Sequence, residues 1–101
     1  MIDLSNKTIL VTGASKGIGA AIVQNLSKAK ANIIAQYCSD KTGMDEVISS
    51  CGDANIVTYQ ADFKKVEEVE NLWEKSISWR NGIDVLINNA AIIRFEGGID
   101  D

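Results

Sequence analysis

The chain of 101 residues contains no histidine and only two cysteines, Cys38 and Cys51. Two thiols without an imidazole make a poor zinc site and are too few for a disulfide framework, so both are expected as reduced thiols in a reducing compartment. Proline is missing altogether. With no Gly/Ser-rich linker and no internal repeat either, nothing marks a domain boundary, and residues 1–101 are expected to form one unit. No apolar run reaches the roughly 18 residues that span a bilayer, and Met1-Ile2-Asp3-Leu4 has neither the basic start nor the apolar core of a signal peptide. The expectation is a cytoplasmic protein with no membrane partner. Ten basic against fourteen acidic residues leave a net charge of −4 with no Lys/Arg cluster, which argues against nucleic acid as a partner. A small anion held by local backbone dipoles is still compatible with that balance.

What the chain does have is alternation. Residues 8–11, 32–37, 55–60 and 84–88 are apolar runs of strand length, near-continuous in the way of strands buried on both faces. Between the first two, Ile18, Ile22, Val23 and Leu26 recur at helical spacing, and Val66, Val69, Leu72, Trp73 and Ile77 do so in the third crossover. Each set is expected to lay one apolar face on the sheet. The second crossover, residues 42–50, carries mainly Met44, Val47 and Ile48, which predicts a short or irregular helix. Right-handed crossovers then give an α/β fold with a parallel sheet of about four strands in the order 3-2-1-4. In such a sheet a ligand binds at the C-terminal strand ends, where the order reverses. Trp73 and Trp79 read as core or contact residues, and the pairs Glu67-Glu68 and Asp100-Asp101 as solvated acids.

The first strand runs into Thr12-Gly13-Ala14-Ser15-Lys16-Gly17-Ile18-Gly19. A strand that turns through glycines into a helix presents free N–H groups to a phosphate, and the helix dipole favours negative charge there. Gly13 permits the tight turn, Gly17 lets backbone approach a pyrophosphate, and Gly19 lets the helix pack closely on its strand. Thr12, Ser15 and Ile18 are the neighbours expected to contribute a hydroxyl or an N–H. A plain strand-to-helix turn is the other reading, although three glycines in seven residues cost backbone entropy that a plain turn does not require.

Two later segments add to this one. Asp62 follows the third strand, and Asn88-Asn89-Ala90-Ala91 ends the fourth. With the glycine turn, their order and intervals resemble the N-terminal part of the short-chain dehydrogenase/reductase family, whose fold is a Rossmann-like three-layer α/β sandwich. The resemblance implies that the turn wraps a dinucleotide pyrophosphate, that Asp62 and Phe63 meet the adenine, and that Asn88 and Ala90 border the ribose. Asp62 is also expected to cap the third helix. Tyr37 stands where an acidic residue would accept the ribose hydroxyls and repel a 2′-phosphate. Lys16 stands where members using NADP(H) often place a basic residue. A charge-assisted contact is worth roughly 1.5–3 kcal/mol, enough for about a tenfold preference, so NADP is expected, with NAD as the alternative. Against that, Lys16 can be a lysine facing only solvent, and Cys38 and Ser39 follow Tyr37 where an arginine would help. Two departures from the family pattern are Ala91 in place of glycine and Lys30 where a glycine commonly ends the first helix. Left-handed backbone at a lysine costs about 1 kcal/mol, so that helix is expected to end differently.

The family's catalytic serine, Tyr-x-x-x-Lys pair and assisting asparagine have no counterpart here. Tyr37 and Lys41 have the spacing but lie at the end of a strand, not on a helix. The resemblance therefore implies an oxidoreductase acting on a carbonyl or alcohol, of which this chain is the cofactor-binding part, truncated before the catalytic half and inactive alone. Residues 95–101, with Gly97-Gly98, would enter the loop before a further helix. The alternative is a non-catalytic nucleotide-binding or interaction module. In either case the fourth strand would be an unpaired apolar edge, expected to pair as a homodimer, with the rest of the fold, or in aggregates.

Overall fold

A computed structural model of the chain describes residues 2–89. Ala90, Ala91, Gly97, Gly98, Asp100 and Asp101, and the loop expected at 95–101, lie outside the described residues. The elements alternate as β1 (Thr8–Val11), α1 (Gly17–Lys28), β2 (Asn32–Tyr37), α2 (Lys41–Ser49), β3 (Ile56–Gln60), α3 (Val66–Ser78) and β4 (Val85–Ile87). All strand pairs are parallel, in the order β3-β2-β1-β4. Among the described residues, no helix is long and apolar enough to cross a membrane.

Every residue of β1 and β2 is buried, which is why their sequences lack the polar alternation of a half-exposed strand. Ile9, Val11, Ile33, Ala35 and Tyr37 form one face of the core with Val23 of α1 and Met44 and Val47 of α2. Leu10 and Thr12 belong to the opposite face, with Leu72 of α3. Burying a Val, Leu or Ile contributes roughly 1.5–3 kcal/mol each, so these central strands carry most of the stability.

Polar side chains latch the register at the N-terminal strand ends. Asn32 Nδ2 donates to the Ser5 and Lys7 carbonyls at 3.0 and 3.2 Å, and Asn55 Nδ2 donates to Asn32 Oδ1 at 2.6 Å. Asp84 accepts the Thr8 N–H at 2.8 Å while its own N–H goes to the Thr8 carbonyl at 2.8 Å. Asn55 and Asp84 are thus latch residues just ahead of β3 and β4 rather than strand members.

The helices depart from expectation in three places. Ile18 is 68% exposed rather than on the buried face of α1, because it lies in the first turn, beyond the end of the sheet. The lysine at position 30 does adopt left-handed backbone, with φ 69°. Its N–H bonds the Ser27 carbonyl at 3.0 Å and that of Ala31 the Leu26 carbonyl at 3.2 Å, the usual glycine-type helix ending made with a lysine. The second helix is short, as expected, and Asp40 Oδ1 caps it by accepting the Gly43 N–H at 3.0 Å. On α3 only Leu72 and Ser76 are buried, while Trp73 and Ile77 are 47% and 43% exposed. The short edge strand β4 explains the last case: its Leu86, on the α3 face, is itself exposed, so α3 overhangs the sheet there.

Candidate functional site

The segment joining β1 to α1 lies at the C-terminal edge of the sheet, between the ends of β2 and β4. Its first three N–H groups are taken by neighbouring strands. Thr12 donates to the Ile87 carbonyl at 3.1 Å, Gly13 to Gln36 Oε1 at 2.8 Å and Ala14 to the Gln36 carbonyl at 2.8 Å. Gly13 turns the chain with φ 63°. Ser15 is buried, and its carbonyl lies 2.8 Å from where a Cβ on Gly43 would fall, so the start of α2 abuts the turn.

From Lys16 onward the arrangement changes. Lys16 is exposed, has extended backbone and makes no side-chain cap, and the first intrahelical bond is that of Ala20 N–H to the Lys16 carbonyl. No acceptor among the described residues meets the N–H groups of Gly17, Ile18 or Gly19. These are the orphan donors that every helix start leaves. The other two helices bring acids to theirs, Asp40 for α2 and Glu67 with Glu68 in the first turn of α3, whereas α1 has no acid in its first turn. Its partial positive charge, about half an elementary charge, faces outward together with the Lys16 side chain. Gly17 holds φ 61°, and a Cβ there would meet nothing within 4 Å, so the space above it is open. An anionic group fits these donors. Gly19 has a different reason to be glycine: a Cβ would strike the Gly13 carbonyl and lie 2.9 Å from Asn89 Nδ2. It packs against the turn and the β4 end rather than against its strand.

Asn88 and Asn89 tie the end of β4 to the same turn. Thr12 Oγ1 donates to Asn88 Oδ1 at 3.2 Å, and Asn89 Nδ2 donates to the Gly13 carbonyl at 3.1 Å. Tyr37, at the end of β2, is 9% exposed and belongs to the core with Ala14, Met44 and Val47. Its position brings no negative charge to the edge, and its ring is not free to reach outward.

Asp62 does not cap α3. Its Oδ1 accepts the Lys64 N–H at 2.9 Å and its carbonyl the Lys65 N–H at 2.9 Å, closing a turn before the helix begins at Val66. Glu68 reaches back to accept the Asp62 N–H at 2.8 Å. Phe63 lines an open, mainly apolar hollow of about 220 Å³ with Trp73, Leu86 and Asn88. The structure thus gathers Gly13, Ser15, Lys16, Gly17, Ile18, Gly19 and Asn88 around one turn, with Tyr37 beneath and Asp62 and Phe63 on the adjoining loop. Sequence reasoning passed over Gln36 and used Asn89 only as part of a motif. The available signal for Gln36 was a lone amide inside the apolar run Ile33-Ile34-Ala35-Gln36-Tyr37.

Comparison with known proteins places these features in context. Residues 7–99 match the family model described as short chain dehydrogenase. Glucose 1-dehydrogenase 2 of Bacillus subtilis is 37% identical over 90 residues, covering 87% of this chain and 35% of that protein. The L-rhamnose 1-dehydrogenase (NADP(+)) of Thermoplasma acidophilum is 32% identical over 98 residues, covering 95% of this chain and 39% of that protein. Among solved structures, a dehydrogenase/reductase from Sinorhizobium meliloti superposes with a TM-score of 0.79 at 30% identity, covering 86% of this chain and 35% of that one. The chain spans little more than a third of the length of these relatives.

Proposed function

This chain belongs to the short-chain dehydrogenase family, and on that footing we propose that residues 1–101 are a partial dinucleotide-binding domain. It holds the adenosine and pyrophosphate side of NAD(P) for an oxidoreductase that interconverts a carbonyl and an alcohol. The observation that carries this reading is the start of α1, where the N–H groups of Gly17, Ile18 and Gly19 have no acceptor among the described residues and Lys16 stands exposed beside them. Ser15 and Gly13 shape the turn, Asp62 and Phe63 border the adenine, and Asn88 and Ala90 flank the ribose. When bound, the nicotinamide of the cofactor supplies the hydride acceptor or donor; this chain's residues bind and orient the other end. The family's Ser and Tyr-x-x-x-Lys set is not among the 101 residues, so the chain alone is read as inactive.

NADP is the preferred cofactor and NAD the alternative. The buried Tyr37 puts no carboxylate against a 2′-phosphate at the end of β2. The name of the rhamnose dehydrogenase relative, which specifies NADP(+), points the same way. The setting proposed is the reducing cytoplasm, with Cys38 and Cys51 as free thiols.

A second reading is favoured by a separate observation, the exposed apolar surface of Trp73, Ile77 and Leu86 beside the edge strand β4. It makes the chain an interaction module that pairs through this surface, as a homodimer or with a partner. Calorimetric titration with NADPH, NADH and ADP-ribose, with light scattering on the same sample, separates the two. The cofactor reading expects NADPH to bind about tenfold more tightly than NADH, and Lys16→Glu to abolish that preference. A folded chain that takes up none of the three ligands leaves the interaction module.

A further inference from the structure

Gln36 has no part in the cofactor reading, yet it is 2% exposed and is bonded on all sides. Its Oε1 accepts the Gly13 N–H and its Nε2 donates to the Ala61 carbonyl, both at 2.8 Å, while its own carbonyl accepts the Ala14 N–H at 2.8 Å. A single residue on the central strand β2 therefore grips both the loop leaving β1 and the loop leaving β3. Two consequences follow for an anion at the turn. The Gly13 and Ala14 N–H groups are already spent on protein acceptors, so the donors open to a ligand begin further along the turn. The segment from Ala61 to Phe63 is held at a set distance from that turn, because the amide bridging them is rigid and enclosed.

Resting on the cofactor reading, we propose that Gln36 is a positioning residue of the dinucleotide site, one that sets the spacing between the pyrophosphate turn and the adenine-side loop. Only a side chain that accepts at one end and donates at the other serves both loops. Leucine, of similar bulk, serves neither. An ionised carboxylate accepts from Gly13 but faces the Ala61 carbonyl oxygen with like partial charge, whereas a neutral carboxyl can accept and donate as the amide does.

The test compares the full chain with its Gln36→Leu and Gln36→Glu variants, by amide hydrogen exchange at Gly13 without ligand and by calorimetric titration with ADP-ribose. Circular dichroism and thermal unfolding first establish that each sample is folded. In the parent the Gly13 amide exchanges slowly; in Gln36→Leu it loses that protection and ADP-ribose binds about tenfold more weakly. For Gln36→Glu the affinity relative to parent is near parity at about pH 5 and falls about tenfold by about pH 8, because a carboxyl enclosed without a cation titrates above its ordinary range and is neutral below it. If Gln36→Leu does not fold, the two pH values of Gln36→Glu decide. A residue that only supports the fold would shift the unfolding temperature and leave the affinity ratio of the folded samples flat with pH. If the parent binds ADP-ribose and the folded variants bind equally well at both pH values, the role of Gln36 is overturned and the cofactor reading stands. If the folded parent binds no ADP-ribose, the cofactor reading falls and takes this role with it.

Discussion

Lys30 follows the cap of α1 in left-handed backbone, φ 69°, where its Cβ crowds the adjoining carbonyl. Two hydrogen bonds back to Ser27 and Leu26 hold it there despite the strain. Glycine removes that strain, about 1 kcal/mol, but has more freedom to lose on folding, so Lys30→Gly is expected to stabilise by about 0.5 kcal/mol. For a domain of this size that is a rise of roughly 2–4 °C in Tm, measurable by differential scanning calorimetry. Arg80 provides an internal control. It is also left-handed, with φ 58°, but its guanidinium lies 5.5 Å from the Trp79 ring centroid, a contact that glycine would forfeit. The gain at Lys30 should exceed that at Arg80, and equal gains would mean that the cation–ring contact contributes nothing.

At the scale of elements, the glycine turn works because β1, α1 and β4 meet within the reach of one missing methyl group. Gly19→Ala places a Cβ on the Gly13 carbonyl and beside Asn89 Nδ2, so the turn must open or β4 must shift. Gly17→Ala meets no atom and strains only the backbone. The expected costs are about 1–3 kcal/mol or more at Gly19 and about 1–2 kcal/mol at Gly17, read as the difference in denaturant midpoint at constant slope. A smaller loss at Gly19 than at Gly17 would show that the close approach relaxes freely. The elements themselves were readable because long apolar runs leave a buried parallel strand few alternatives, and β1 and β2 stand where their hydrophobicity put them. The shortness of α2 was legible from its few apolar residues, two of which, Met44 and Val47, are buried in the core, whereas its capping by Asp40 was not. Periodicity misplaced Ile18 because it reports which residues share a helix face, not where the sheet beneath that face ends. Asp62 looked like a helix cap because an aspartate before a helix serves equally to close a turn, and only geometry tells the two apart. Within the candidate site, the glycines were legible from their spacing, whereas Gln36 took its importance from loops at Gly13 and Ala61 that are remote from it in sequence.

For the whole molecule, the two faces of the sheet are covered very unequally. Under α1 and α2 lies a closed core, with Val23, Ile33 and Ala35 fully buried and Met44 nearly so. On the other face, Val66, Trp73 and Ile77 of α3 and Leu86 of β4 are each more than two-fifths exposed, as is Val85 at the edge of the first face, and β4 has no strand on its outer side among the described residues. Apolar surface of this kind beside a free strand edge favours association. The expected behaviour is a concentration-dependent increase in mass by light scattering, moved toward the monomer by Ile77→Glu and by Val85→Lys. Both changes should leave ADP-ribose affinity within about twofold, because neither residue lines the hollow of Phe63 and Asn88 or belongs to the turn that carries Lys16 and the Gly17 to Gly19 donors. The pairing of the two readouts matters. If association and binding vanished together in folded variants, the ligand site would have to include the associating surface, and the turn could not be the independent anion site that its uncapped helix start describes.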